Sequence, residues 1–140
     1  MANSGVFLRA RRDDSNPAYS GCEVQILDDF HWEEETQTRL EPWQLSGSLY
    51  GSVPAAAPGV LRPVGEWNTY EILFRGTRLA VALNGRTLYD VDLGSVSADP
   101  PFAQRASAGF LGLQRHGSHE ESGEPAVWFR DLLARRLTDR

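Results

Sequence analysis

Apolar and polar residues alternate with period two through much of the chain, and no segment carries a long stripe of 3.6-residue period. The alternation is clearest where Tyr70, Ile72 and Phe74 interleave with Thr69, Glu71 and Leu73, before Arg75-Gly76 turns the chain. Leu79, Val81 and Leu83 resume it and run directly into Asn84-Gly85. That dipeptide accepts the positive φ angles of a two-residue type I′ hairpin, so Arg86 to Leu93 reads as the returning strand. Three consecutive antiparallel strands are predicted there. Val6 to Arg9, Glu23 to Leu27, Gly109 to His116 and Ala126 to Leu133 read as four more, each rich in β-favouring residues and bounded by turn residues. With turns recurring every eight to twelve residues or so, an all-β antiparallel two-sheet sandwich is expected.

Two stretches break the alternation. Asp28 to Leu45 is acidic and holds Trp32 and Trp43, and Ser52 to Val64 is rich in Pro and Ala; both read as long loops at one rim of the sandwich. Trp67, just ahead of the central strands, is expected in the core. At 140 residues, with no internal repeat or low-complexity linker, the chain reads as one domain. All 14 basic residues are Arg, and against 19 acids they leave a formal net charge of −5. That balance argues against a nucleic-acid or anionic-membrane partner. The lone Cys22 has no partner for a disulfide, and the least charged stretch, Gly51 to Leu61, is far shorter than the roughly 20 residues of a membrane-spanning helix. The N-terminus lacks the ordered features of an export signal.

Candidate chemistry lies on two of the strands. With Val24 and Ile26 facing the core, Glu23 and Gln25 face the other way, and a bulge near Ile26 and Leu27 would add Asp28 to give an acid, amide, acid row. That row resembles the bulged Glu-x-Asp-x-x-Glu strand of jelly-roll glycosidases, with Gln25 in the place of their Asp. Such a row on a concave sheet can hold sugar hydroxyls and move protons; a solvated outer face is the plain alternative. On the second strand, Gln114 and His116 share the face opposite Leu113, and a His there can serve as acid or base, or simply hold a loop carbonyl. Trp32 and Trp43 can stack on sugar rings or pin their loop, and Arg9 and Arg130 can clamp an anionic or keto oxygen or pair with acids. Three His and one Cys argue against structural zinc, including at His119 beside Glu120 and Glu121. No Asp-x-Asp-x-Asp-Gly loop marks a hard-cation site. Nucleophile-elbow, phosphate-loop and His-Glu-x-x-His motifs are absent.

Seven ordered segments carry a family likeness: Asn3 to Arg9 (NSGVFLR), Gly21 to Asp28 (GCEVQILD), Ser46 to Gly51 (SGSLYG), Gly65 to Ile72 (GEWNTYEI), Leu83 to Gly85 (LNG), Gly112 to Gly117 (GLQRHG) and Val127 to Leu132 (VWFRDL). Together they resemble the 3-keto-disaccharide hydrolase domain family, with its concanavalin A-like, laminin-G-like jelly roll. The resemblance implies a single domain over residues 1 to 140 that lacks the family's first strands, leaving an uncovered edge through which the chain would self-associate. Cys22 replaces a usual aromatic, and Arg115 a usual Asp.

The implied activity is cleavage of the glycosidic bond in 3-keto-glycosides by elimination and hydration. Glu23 and His116 would transfer protons, and Gln25, Gln114 and Arg9 would orient the sugar. Asp28 would assist or ligate a metal, so a divalent cation stays open and no cofactor is certain. Arg130, Trp32 and Trp43 would add contacts. The family's usual setting is exported or periplasmic. A carbohydrate-binding or interaction module that uses the same face without chemistry remains the competing class.

Overall fold

The computed structural model describes residues 1–57, 59–116 and 126–137. Among them run six strands: β1 (Asn3–Ala10), β2 (Cys22–Leu27), β3 (Tyr70–Arg75), β4 (Arg78–Leu83), β5 (Arg86–Asp92) and β6 (Phe110–Leu113). They form two antiparallel three-stranded sheets, ordered β2-β1-β6 and β3-β4-β5. The second sheet is the predicted meander. Asn84 and Gly85 adopt φ of 52° and 77°, as the tight turn requires. The Asn84 side chain also donates to Val60 O and Asn68 Oδ1 and accepts from Thr69 N, so the turn fastens the preceding loop. A Gly85→Val change, which puts a β-branched residue at positive φ, is expected to cost about 1–2 kcal/mol and lower the melting temperature by several degrees. An unchanged melting curve would count against this account of the turn.

The core lies between the sheets. Leu8, Cys22 and Val24 of the first meet Leu79, Val81, Leu83, Leu88 and Tyr89 of the second, with Leu49 fully buried among them. Each sheet contains one irregularity. Opposite the step from Val81 to Ala82, β5 carries an extra residue, and its adjacent Leu88 and Tyr89 are both buried. In β1 the extra residue falls between Phe7 and Ala10, where Arg9 takes a φ of 54°. Phe7 and Ala10 then pack with Ala18, Tyr19 and Phe110 in a second, smaller cluster.

Beyond the named strands, Val24 bridges Leu49, and the run from Gly47 to Tyr50 lies antiparallel along the free side of β2. The acidic stretch after β2 is a connection with two short ordered pieces, α2 (Trp32–Thr36) and a 3-10 turn at Pro42–Gln44. A single helical turn, α1 (Pro17–Ser20), lies between β1 and β2.

Two expectations fail. Ala126 to Leu133 forms no strand: Asp131 takes a φ of 54°, which breaks the extended run, and no described strand pairs with it. Trp128, Leu132 and Leu133 stay exposed. Trp67 is 44% exposed rather than core, because counting back from inward-facing Tyr70 places it on the outward parity; the Arg130 guanidinium lies 4.0 Å from its ring centre. Among the described residues no helix is long and apolar enough to cross a membrane.

Candidate functional site

Strand pairing sets out the face of the first sheet that points away from the core. Val24 is buried against the second sheet, so Glu23 and Gln25 take the opposite side. In β1, Phe7 pairs with Glu23 and Gly5 with Gln25. On the far side of β2, Tyr50 N donates to Glu23 O at 2.9 Å and Gln25 N donates to Ser48 O at 3.0 Å. On the far side of β1, Gly112 pairs with Phe7, and Gln114 N donates to Gly5 O at 2.8 Å. One row across the sheet is therefore Tyr50, Glu23, Phe7, Gly112; the next is Ser48, Gln25, Gly5, Gln114. The predicted sharing of a face by Glu23, Gln25 and Gln114 is present in the backbone register.

Glu23 is the unusual member. Only 4% of it is exposed, yet no side-chain hydrogen bond reaches its carboxyl among the described residues. Burial alone pushes its pKa up to about 7. The carboxyl lies over Gly5, in space that a side chain there would fill. Gln25 is equally buried, at 4%. Gln114 is half-buried, and its Oε1 is enclosed with no partner among the described residues. A buried carboxyl that ionises near pH 7, on the face that also carries Gln25 and Gln114, is suited to passing a proton at physiological pH.

An aromatic edge borders the row. Tyr50 packs edge-to-face against Trp43, with ring centres 5.5 Å apart, and against Tyr19 at 6.4 Å. Tyr19 is close enough for a charged Glu23 to raise its pKa, although burial is the larger cause. Arg105 supports this corner from behind, donating to the carbonyls of Pro100, Ala18 and Gly21.

Other candidates stand elsewhere. The expected bulge near Ile26 and Leu27 is absent: pairing runs without interruption from Leu8↔Cys22 to Asn3↔Leu27. Leu27 thus lies on the Glu23 face, where it is buried, and Asp28 falls outside the row. Asp28 instead holds His31 Nδ1 at 2.9 Å. Its neighbour Asp29 is the engaged carboxylate, accepting from Ser46 N and Ser46 Oγ, and burial raises its pKa to about 6. Arg9 does not reach the face; it donates to Gly76 O at 2.7 Å and lies 3.5 Å from the Phe74 ring centre in the other sheet.

Arg130 pairs with Asp131. Trp32 starts α2, apart from the aromatic edge that Trp43 joins, with its indole N–H enclosed and without a partner among the described residues. His116 is exposed beyond the end of β6, on the parity of Gln114. Gly117, His119, Glu120 and Glu121 lie outside the described residues. Among the described residues no three His, Cys, Asp or Glu side chains gather as a metal ion would need.

Sequence reasoning missed Tyr50, Tyr19 and Gly5. For Tyr50 a signal exists: Ser46, Ser48 and Tyr50 alternate with Gly47 and Leu49 in the motif SGSLYG, the pattern of an extended edge. Gly5 carries no such signal, because its importance comes from the strand beside it.

The two antiparallel sheets packed on one core place the chain among all-β proteins with the jelly-roll sandwich fold. Two crystal structures from Parabacteroides distasonis, each of a candidate glycosyl hydrolase, share this fold. One is 29% identical with a TM-score of 0.69 over 86% of this chain, and the other 26% identical with a TM-score of 0.69 over 83%. This chain spans 65% and 58% of their lengths. No curated protein matches it. The model of the 3-keto-alpha-glucoside-1,2-lyase-like domain matches residues 1–135, and the chain belongs to that family.

Proposed function

We propose that the chain cleaves the glycosidic bond of a 3-keto-glycoside, with Glu23 and His116 as the proton-transfer pair. The observation that carries this reading is the buried Glu23 carboxyl, poised near pH 7 on the outward face beside Gln25, Gln114 and an aromatic edge. A ketone at C3 acidifies the proton on C2. The Glu23 carboxylate takes that proton, the electron pair forms the C1–C2 double bond, and the C1–O bond breaks as His116 protonates the departing oxygen. Water then adds its hydroxyl to C1, His116 recovers the proton of the water, and Glu23 returns its proton to C2. The amides of Gln25 and Gln114 hold hydroxyls and stabilise the enolate. Tyr50, Tyr19 and Trp43 offer ring faces and edges to the sugar. Arg9, committed to the other sheet, has no part in this scheme.

Incubation with 3-keto-trehalose or 3-keto-lactose, beside the parent disaccharides, tests the reading. Release of free sugar from the keto substrates alone is expected. Binding without release would favour a carbohydrate-binding module, for which the aromatic edge is the supporting feature, and neither binding nor release would overturn both.

A further inference from the structure

Gly5 sits in the centre of the outward face, paired with Gln25 on one side and joined to Gln114 on the other. Its φ is not in the left-handed region, so its backbone could accommodate any residue. Space is what demands glycine. A side-chain carbon at Gly5 would stand 2.7 Å from Glu23 Cγ, 2.8 Å from Cδ and closer still to Oε1; the three nearest atoms all belong to Glu23. Phe7, directly beside Glu23 in the register and nearly buried, closes the other route across β1. We propose, resting on the reading above, that Gly5 is a positioning residue whose missing side chain lets the Glu23 carboxyl lie down across β1 toward the Gln114 side, instead of standing out from the sheet.

This posture explains the electrostatics of the site. A carboxyl laid on the sheet is desolvated by Gly5, Phe7 and the strands beneath, and it faces the side where Gln114 Oε1 has no partner among the described residues. Among the described residues, the titratable groups toward it are the phenols of Tyr19 in α1 and Tyr50 along the neighbouring edge, with Arg105 behind Tyr19, and His116 lies beyond the end of β6. Its neighbours in β1 and across in β6, Phe7, Gly5, Gly112 and Gln114, carry no charge.

The test is Gly5→Ala, read by carbon NMR titration of the residue-23 carboxyl and assigned with Glu23→Gln. The carboxyl is expected to titrate markedly lower, toward the ordinary glutamate range, and turnover of a 3-keto-glycoside should fall by about tenfold to a hundredfold, chiefly in kcat. An unmoved titration would overturn the proposal. Should Gly5→Ala fail to fold, the double variant Gly5→Ala/Glu23→Ala decides: recovery of the fold supports the contact, and continued failure overturns it. Neither the titration nor the double variant needs an active enzyme. A chain that cleaves no keto sugar would therefore sink the proposed function and leave the role of Gly5 to be settled separately.

Discussion

Glu23→Gln is expected to lower turnover of a 3-keto-glycoside by about a hundredfold or more while leaving the fold intact, and His116→Ala is expected to do the same. The amide preserves the shape of Glu23 and fits the same space over Gly5, but it cannot take the proton from C2. Because proton abstraction and return are transition-state events, the loss should fall mainly on kcat. His116 is exposed at the end of β6, so its removal leaves no cavity. Circular dichroism of both variants should match the parent, with the spectrum of a β protein. Full activity in both would remove the proton-transfer pair, and full activity in His116→Ala alone would assign the second transfer to another group.

The second large effect is on stability as a function of pH. Glu23 ionises near pH 7 in the folded chain and near the ordinary value of 4.5 when unfolded, so the folded state holds this proton more tightly. Its contribution is fully present below about pH 4.5 and is lost as pH rises through about 7. The difference corresponds to about 3 kcal/mol across that window. Asp29, raised from 3.8 to about 6 by burial, adds a loss in the same direction at lower pH. Urea midpoints at pH 5 and pH 8 should therefore show the parent distinctly weaker at pH 8. Glu23→Gln should flatten most of that decline between pH 6 and 8. An equal decline in both proteins would mean that Glu23 does not titrate from a buried state.

How much of this was readable beforehand follows from how local each signal is. The meander was legible because its strands are adjacent, its alternation is regular and Asn84-Gly85 specifies the turn by itself. The common face of Glu23, Gln25 and Gln114 was legible from parity within each strand. Asp28 was misplaced because an apolar Leu27 on a polar face suggested a bulge. In fact Leu27 is buried on that face, its backbone N–H and carbonyl both bonded by Ser46 Oγ. The actual bulge sits at Arg9, whose left-handed backbone no sequence rule singles out. Trp67 and the run from Ala126 carry aromatic and β-favouring residues, but burial and pairing depend on whether a partner surface lies opposite.

The two sheets differ in how the chain reaches them. β3, β4 and β5 are consecutive, so their contacts close over a few residues, whereas Val6 of β1 pairs with Leu113 of β6 across about a hundred residues. Closing a loop of that length costs about 4 kcal/mol before any contact across it contributes, so the meander is the half that can form first, and the face bearing Glu23 is assembled last. Pulsed hydrogen exchange during refolding would show it: the amide of Val81 should gain protection before that of Gln114, which donates to Gly5 O across the β1–β6 pairing, and simultaneous protection would contradict this order.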